Sequence, residues 1–460
     1  MIVVSHRGPF TFSREHDGSF IARRGAGGLV SVLAPLLAGR EGDTWIAAAI
    51  GDDERAAVDA GAARAPMPGI GLRLLAFDPH VHRMHYEVVS NATLWFLHHD
   101  LFDLPRRPRF DHRFLEAWAG YAAVNRAFAD AVMEAAAPDE IVLVQDYQLA
   151  LTPGMVRAAR PDLRVVHFTH TPFCEPADIR VLPDEVAAAL CGSMAGGPAG
   201  FHTERWARAY AACARLVLGA DATIGRAFSA SFGPDPAVLA ETADSRETAD
   251  AAAWLDELAG DRAVIFRTDR VEPSKNIGRG FLAYDRLLTV HPEWRERVVF
   301  VAFLYASREG LPEYLAYRQE VEQVAARVND RWATDGWQPI ALDTRDDFAR
   351  SVAGLMRADV LLVNPIKDGL NLVAKEGPLV SRRAGVLCLS REAGAFDELG
   401  EAALMVHPYD LDQTAAALHA ALSMDPAERS SRAARLRELA AARTPQVWLD
   451  ELVSQARAAR

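Results

Sequence analysis

Val360-Leu361-Leu362-Val363, followed by Lys367-Asp368-Gly369-Leu370-Asn371-Leu372-Val373-Ala374-Lys375-Glu376, decides how this chain is read. The apolar run predicts a buried strand, the Asp-Gly step a turn, and the segment beyond it a helix. A strand that feeds a helix through a glycine turn leaves free backbone N–H groups at the helix start. With the helix dipole behind them, those groups suit a diphosphate. Asp368 stands in the turn as an acceptor for hydroxyls, and Glu376 lies farther along the helix. The competing reading is a plain strand-turn-helix whose Asp and Asn cap the helix.

Outward from this stretch the same alternation recurs. Strand-like runs in the first half are residues 2–4, 45–50, 72–77, 141–144, 165–168 and 222–224, with helical patterns at 29–37, 114–136 and 204–218. In the second half, runs at 264–266, 298–304, 360–363 and 386–389 alternate with helices near 277–289, 313–332 and 346–356. Such alternation predicts parallel sheets covered by helices on both faces. The expected fold class is α/β, with two Rossmann-like doubly wound domains facing a central cleft. Residues 1–235 form the expected N-terminal domain and residues 236–440 the C-terminal one. Residues 441–460 form a terminal helix that is free to pack back on the first domain. The stretch 232–262, rich in Ala, Asp, Glu and Pro, reads as the crossover.

A chain of 460 residues exceeds what one core usually supports. Its net charge of −12 argues against a nucleic-acid or anionic-membrane partner, so an anion site must be built locally from a few cations. No signal peptide or membrane-length apolar run is read. Cys174, Cys191, Cys213 and Cys388 are scattered, without metal or redox spacing, and a reducing, cytoplasmic setting is expected. No metal site stands out. Asp410-Leu411-Asp412 opens a helix, where capping is the simpler role.

Polar residues collect where strands should end. Ser5-His6-Arg7 follows the first strand, and Gly25-Ala26-Gly27-Gly28 precedes a helix. Asp146 and His170 each come two residues after an apolar run. Arg270-Val271-Glu272-Pro273-Ser274-Lys275-Asn276 follows the first strand of the second half, and Arg308 repeats the pattern at another strand end. Ligands of doubly wound folds bind beyond such ends. Two cations beside a helix start suit a departing diphosphate, on which charge builds as the bond breaks. Tyr86 and Trp95 lie near Asn91 in a stretch that reads as loop-rich; as isolated aromatics they fit a core equally well.

Together these motifs resemble the trehalose-6-phosphate synthase family, retaining glycosyltransferases of the GT-B fold. The resemblance runs from Val3 to about Leu449. It implies that Arg7 and Arg308 hold the phosphate of glucose 6-phosphate, with Trp45, Tyr86, Trp95 and Asp146 completing the acceptor site. Gly27 and Gly28 would lie near the donor diphosphate. Arg270, Lys275, Asp368, Asn371, Leu372, Val373 and Glu376 would bind a nucleotide-diphosphate glucose, with Asp368 on sugar hydroxyls and Glu376 on the ribose. His170, Arg270, Lys275 and Asp368 are the implied catalytic set. The resemblance implies no cofactor, and small-molecule partners only; a homo-oligomer stays open. Donors carrying uridine, guanosine or adenosine are all open, as are glycerol 3-phosphate or a cyclitol phosphate as acceptor, or a catalytically silent sugar-phosphate-binding regulator. The family's Arg-Leu-Asp-Tyr-Ser-Lys-Gly is Arg-Val-Glu-Pro-Ser-Lys-Asn here, a turn shared with pseudo-glycosyltransferases.

Overall fold

The computed structural model describes residues 1–25, 28–38, 40–64 and 69–459. Two compact units emerge: Met1–Phe232 joined by the C-terminal helix Pro445–Ala458, and Gly233–Thr444. Each is built on a parallel sheet.

In the first unit the strands are β1 (Ile2–Val4), β2 (Phe10–Arg14), β3 (Phe20–Arg24), β4 (Asp43–Ala48), β5 (Ile70–Leu75), β6 (Ile141–Gln145), β7 (Arg164–Thr169), β8 (Ala199–Phe201) and β9 (Ala227–Ser229). Seven of them pair in the order β5-β4-β1-β6-β7-β8-β9, while β2 and β3 form a separate antiparallel hairpin. The second unit contains β10 (Ala263–Arg270), β11 (Val298–Tyr305), β12 (Ile340–Asp343), β13 (Val360–Val363), β14 (Val386–Ser390) and β15 (Leu404–Val406), ordered β12-β11-β10-β13-β14-β15. The central strands β1, β11 and β13, and the first half of β10, are almost wholly apolar because helices cover both faces.

Both orders have the same logic. The chain starts in mid-sheet, runs to one edge, and returns to the other side of its first strand. The reversal falls between β1 and β6 in one unit and between β10 and β13 in the other. Loops leaving those two strand pairs part in opposite directions and open a crevice at their carboxyl ends.

Two local expectations need correction, and a third stretch gains detail. Residues 222–224 are not a strand; β9 forms just beyond them, where Phe228 is buried. Residues 222–224 offer no comparable anchor, being half-buried or exposed. The stretch around Tyr86 and Trp95 is helical, not loop-rich. It runs from Met84 to Trp95 with widened π turns, in which Ser90 Oγ donates to His85 O and Thr93 Oγ1 to Val88 O, each at 2.8 Å. Such widened turns cluster at functional positions, and their five-residue reach hides them from a 3.6-residue pattern. Finally, the crossover after Phe232 contains two helices, Pro236–Ala243 and Arg246–Ala259, capped by Asp235 and Ser245.

The helix Pro445–Ala458 buries Trp448 completely, with its ring edge-on to Phe168 at 5.3 Å. Asp410 caps the helix Leu411–Ser423 by accepting from Gln413 N at 2.9 Å.

Candidate functional site

In the second unit, Arg270 is the last residue of β10, and Lys275 sits in the tight turn that follows. Asp368 leaves β13 on the other side of the reversal. Lys275 Nζ donates to Asp368 Oδ2 at 2.6 Å, and Asn371 Nδ2 donates to the same oxygen at 3.1 Å. Burial works against the Lys275 charge, but Asp368, Asp269 and Glu272 outweigh it and raise its pKa. Lys275 therefore stays cationic. Beneath it, fully buried Arg267 ties the turn together, reaching Asp269 at 2.7 Å, Asn364 at 3.1 Å and the Lys275 carbonyl at 3.0 Å.

Asn276 explains why this turn tolerates a departure from the family glycine. Its φ of +57° is left-handed, a conformation that Asn adopts more readily than other side-chain-bearing residues. Its side-chain amide also donates to Asn364 O at 3.0 Å and Pro408 O at 2.7 Å. Asn276 thus accommodates a left-handed turn and anchors it with two side-chain hydrogen bonds.

Asn371, at φ +75°, makes the bend into the helix Val373–Val380, and its Oδ1 accepts from Ala374 N at 3.3 Å. Leu372 caps that helix and Val373 begins it. Sequence reasoning missed the clamp beneath this turn. Asp368 N donates to Glu392 O at 3.2 Å, Gly394 N to Asp368 O at 3.1 Å, and Ala395 N to Leu370 O at 2.7 Å. A side chain at Gly394 would meet Gly369 O at 2.0 Å, so only glycine lets the two loops approach this closely. Lys375 is directed into the interior and pairs with Glu398 at 2.8 Å. Glu376, one residue on, is half-buried, and burial pushes its carboxyl up to about 7.

Arg308, beyond β11, has φ +47° and is held by Tyr314 and Glu272. Backbone strain of this kind persists only where surroundings enforce it and often marks functional positions.

The first unit presents a different surface. Arg7 is exposed directly after β1, with no ion pair among the described residues. Its neighbour His6 is buried, hydrogen-bonds His82 between their Nε2 atoms at 3.0 Å, and stacks on Tyr86 at 4.6 Å and 6°. His85 lies close by, its ring 5.3 Å from His6. Burial, aided by the neighbouring imidazoles, holds His6 well below the usual histidine range, and His85 falls to about 3. Trp45 is fully buried beneath this layer and donates to Ser5 Oγ at 2.7 Å; Ser5 in turn donates to Arg7 O at 2.6 Å. Its side chain thus reaches Arg7 through Ser5.

Asp146, at the end of β6, adopts φ +71° and ψ 167°, a region essentially reserved for glycine. Its Oδ1 accepts from His170 N at 3.1 Å, joining the loops after β6 and β7. The His170 ring is engaged at both nitrogens, Nε2 with Gln145 Oε1 at 3.0 Å and Nδ1 with His202 Nε2 at 3.2 Å. Burial lowers its pKa to about 3, so it is neutral across the physiological range. Asn91 accepts from Tyr147 OH at 2.8 Å, linking the widened helix to the Asp146 loop, while Trp95 stacks on His99 at 4.2 Å. Gly28 begins the helix Gly28–Leu37, and Gly27 lies outside the described residues.

In the second unit, then, Lys275, Asp368 and Asn371 come together, and Glu272 joins Arg270 to Arg308; in the first, Asp146 meets His170, and Tyr147 meets Asn91. Glu272, Arg267, Asn364, Gly394, His6, His82 and His202 were missed. Glu272, Arg267, Asn364, His6 and His82 each lie within five residues of a candidate, the one signal available, whereas Gly394 and His202 carry no such signal. Among the described residues, a single set of potential metal ligands appears: His291, Glu293 and His419, within 4.8 Å of one another. Trp294 Nε1 donates to His419 Nδ1 at 3.0 Å, which puts that imidazole's proton on Nε2 and leaves it no lone pair for a metal. His291 also ends the helix Ile277–Val290, before β11 begins and so at the end of the sheet away from Arg270.

The model of glycosyltransferase family 20 matches residues 1–458. The trehalose-6-phosphate synthase of Mycolicibacterium smegmatis is 34% identical over 473 residues, covering 97% of this chain and 90% of that protein. The bifunctional trehalose-6-phosphate synthase/phosphatase of Thermoproteus tenax is 31% identical over 458 residues, covering 95% of this chain; the chain spans only 61% of that protein. Among solved structures, the UDP-forming alpha,alpha-trehalose-phosphate synthase of Burkholderia vietnamiensis superposes with a TM-score of 0.84 at 29% identity, covering 99% of both chains. No described helix is long and apolar enough to cross a membrane.

Proposed function

The chain belongs to glycosyltransferase family 20, and on that premise we propose that it transfers glucose, with retention, from a nucleotide-diphosphate glucose to glucose 6-phosphate, giving trehalose 6-phosphate. The observation that carries this reading is the Arg270–Lys275–Asp368–Asn371 group at the β10/β13 reversal. There, two cations and the start of the helix Val373–Val380 are preassembled around one strand-end crevice. Its two units are the Rossmann-like units of the GT-B fold.

Cleavage of the glycosyl–phosphate bond adds one negative charge to the two already on the diphosphate. Arg270 and Lys275 meet that charge as it develops, and because both are already positioned they need little reorganisation. Asp368, fixed by Lys275 and Asn371, accepts from hydroxyls of the glucosyl ring. Glu376, when ionised, accepts from the ribose hydroxyls. In the second unit Arg308 takes the acceptor's phosphate; in the first unit Arg7 offers a cation to an anion, and Tyr86 and Asp146 offer contacts to a sugar. His170 acts as a neutral fixture, since both ring nitrogens are occupied and its pKa of about 3 excludes general-base work near neutrality. The family resemblance implies attack on the face the diphosphate vacates, where its departing oxygen can take the proton of the incoming hydroxyl.

A donor-by-acceptor matrix tests the proposal. UDP-, GDP- and ADP-glucose are each paired with glucose 6-phosphate, glycerol 3-phosphate and a cyclitol phosphate, and nucleotide release and product mass are scored. The expected result is release dependent on glucose 6-phosphate. Release dependent on another acceptor would replace the acceptor assignment. Absence of acceptor-dependent release throughout would overturn the transferase reading in favour of a silent binder.

A further inference from the structure

Arg270 and Arg308, assigned above to different substrates, share one buried carboxylate. Glu272 is 2% exposed, and its Oε1 lies 3.4 Å from Arg270 Nε and 3.8 Å from Arg308 Nη1. The same oxygen accepts from Ser307 Oγ at 3.0 Å. The backbone fixes where this carboxylate stands. Glu272 N donates to Arg270 O at 2.8 Å, and Lys275 N donates to Glu272 O at 2.9 Å. Arg308 is braced from its other side by Tyr314, whose hydroxyl it donates to and whose ring lies 5.5 Å from the guanidinium. The two guanidiniums repel each other: Glu272 is the largest influence raising the Arg270 pKa, and Arg308 opposes it. Without a shared counter-charge, two like-charged side chains at the mouth of a crevice would splay toward solvent.

We propose that Glu272 is a positioning residue that aims both phosphate-binding arginines, so that the nucleotide and sugar-phosphate subsites depend on one side chain. The inference rests on the functional reading above. It makes a prediction opposite in sign to simple charge counting. Removing a negative charge beside two anion-binding cations should tighten anions if Glu272 acts only through its field. If it acts by positioning, removal loosens both.

The experiment measures UDP and glucose 6-phosphate binding separately by calorimetry, and KM and kcat for both substrates. Parent protein, Glu272→Gln, Glu272→Asp, Arg270→Ala and Arg308→Ala are compared. Glu272→Gln should weaken both ligands by about tenfold, the scale of one charged hydrogen bond. Glu272→Asp, which keeps the charge and is the family's residue here, should recover most of the loss. Arg270→Ala should weaken chiefly UDP and Arg308→Ala chiefly glucose 6-phosphate. Unchanged or tighter binding in Glu272→Gln, or weakening of only one ligand, overturns the inference. If Glu272→Gln does not fold, Ser307→Ala, which removes a hydrogen bond to the carboxylate and no charge, decides the matter. Weakening of both ligands by roughly threefold supports positioning, and no change overturns it. Parent protein that binds neither ligand overturns the functional reading as well, whereas parent protein that binds both isolates the fate of Glu272.

Discussion

The crevice after β10 and β13 is built of charge held by charge, whereas the one after β1 and β6 is built of stacked neutral rings beside one exposed arginine. In the first, Lys275 is fixed by Asp368, Arg270 and Arg308 by Glu272, and Arg267 by Asp269. In the second, His6, His82 and Tyr86 form a near-parallel stack, burial keeps His6 and His85 uncharged, and Arg7 stands without an ion pair among the described residues. The difference fits the roles proposed for each. A leaving diphosphate gains charge during reaction and needs cations that are already oriented. A sugar ring needs flat, uncharged surfaces, and an exposed cation such as Arg7 suits a phosphate beside it.

The comparison can be broken most directly at Arg270. Arg270→Ala should lower kcat by about 10²- to 10³-fold, the usual effect of deleting one preorganised group that stabilises transition-state charge. Steady-state kinetics with saturating substrates would show it, and a change confined to KM would mean that the charged crevice merely binds. Arg7→Ala should act the other way, raising KM for glucose 6-phosphate by roughly 10- to 100-fold while sparing KM for the donor. An equal loss for both substrates would erase the division between the crevices.

Glu376 sharpens the comparison through pH. Its carboxyl titrates near 7 in the folded protein against 4.5 ordinarily, because burial disfavours the ionised form. Between those values the unfolded chain releases this proton and the folded chain keeps it. Rising pH therefore costs stability across that window, with the full loss reached above 7. Glu376→Gln should remove this slope, melting higher than the parent at about pH 8 and alike at about pH 4. The parent's affinity for a nucleoside diphosphate should rise through pH 7 as the carboxylate becomes a better acceptor, and Glu376→Gln should lose that rise. A parallel pH dependence in both proteins would remove Glu376 from the ribose. The smallest effect belongs to Trp45→Phe, which deletes the hydrogen bond to Ser5. A loss of about 1 kcal/mol in urea unfolding is expected, with little change in kcat.

Much of this was legible in advance because strand ends announce themselves. Arg7, Asp146, His170, Arg270 and Asp368 could all be placed from apolar runs followed by polar residues, since burial on both sheet faces writes each central strand as an unbroken hydrophobic word. The strands β8, β9, β12 and β15 are only three or four residues long, too short to stand out as apolar runs, and none of them was read correctly. The widened helix around Tyr86 was hidden because its repeat is not 3.6 residues.

By itself, then, the sequence determined two doubly wound units and the strand ends that carry polar residues. Those properties are local, set by hydrophobic period and residue-specific backbone preference. Tertiary structure alone decided that Glu272 lies between Arg270 and Arg308, that Gly394 presses on Gly369, and that His6 supports Tyr86. Each of these depends on strand order, which brings together residues from separate loops, and no local pattern encodes which strand becomes whose neighbour. The Lys367–Glu376 stretch shows both sides. Its strand-turn-helix course is written locally, while the partner that makes Asp368 part of a charged site, Lys275, comes from the other side of the reversal.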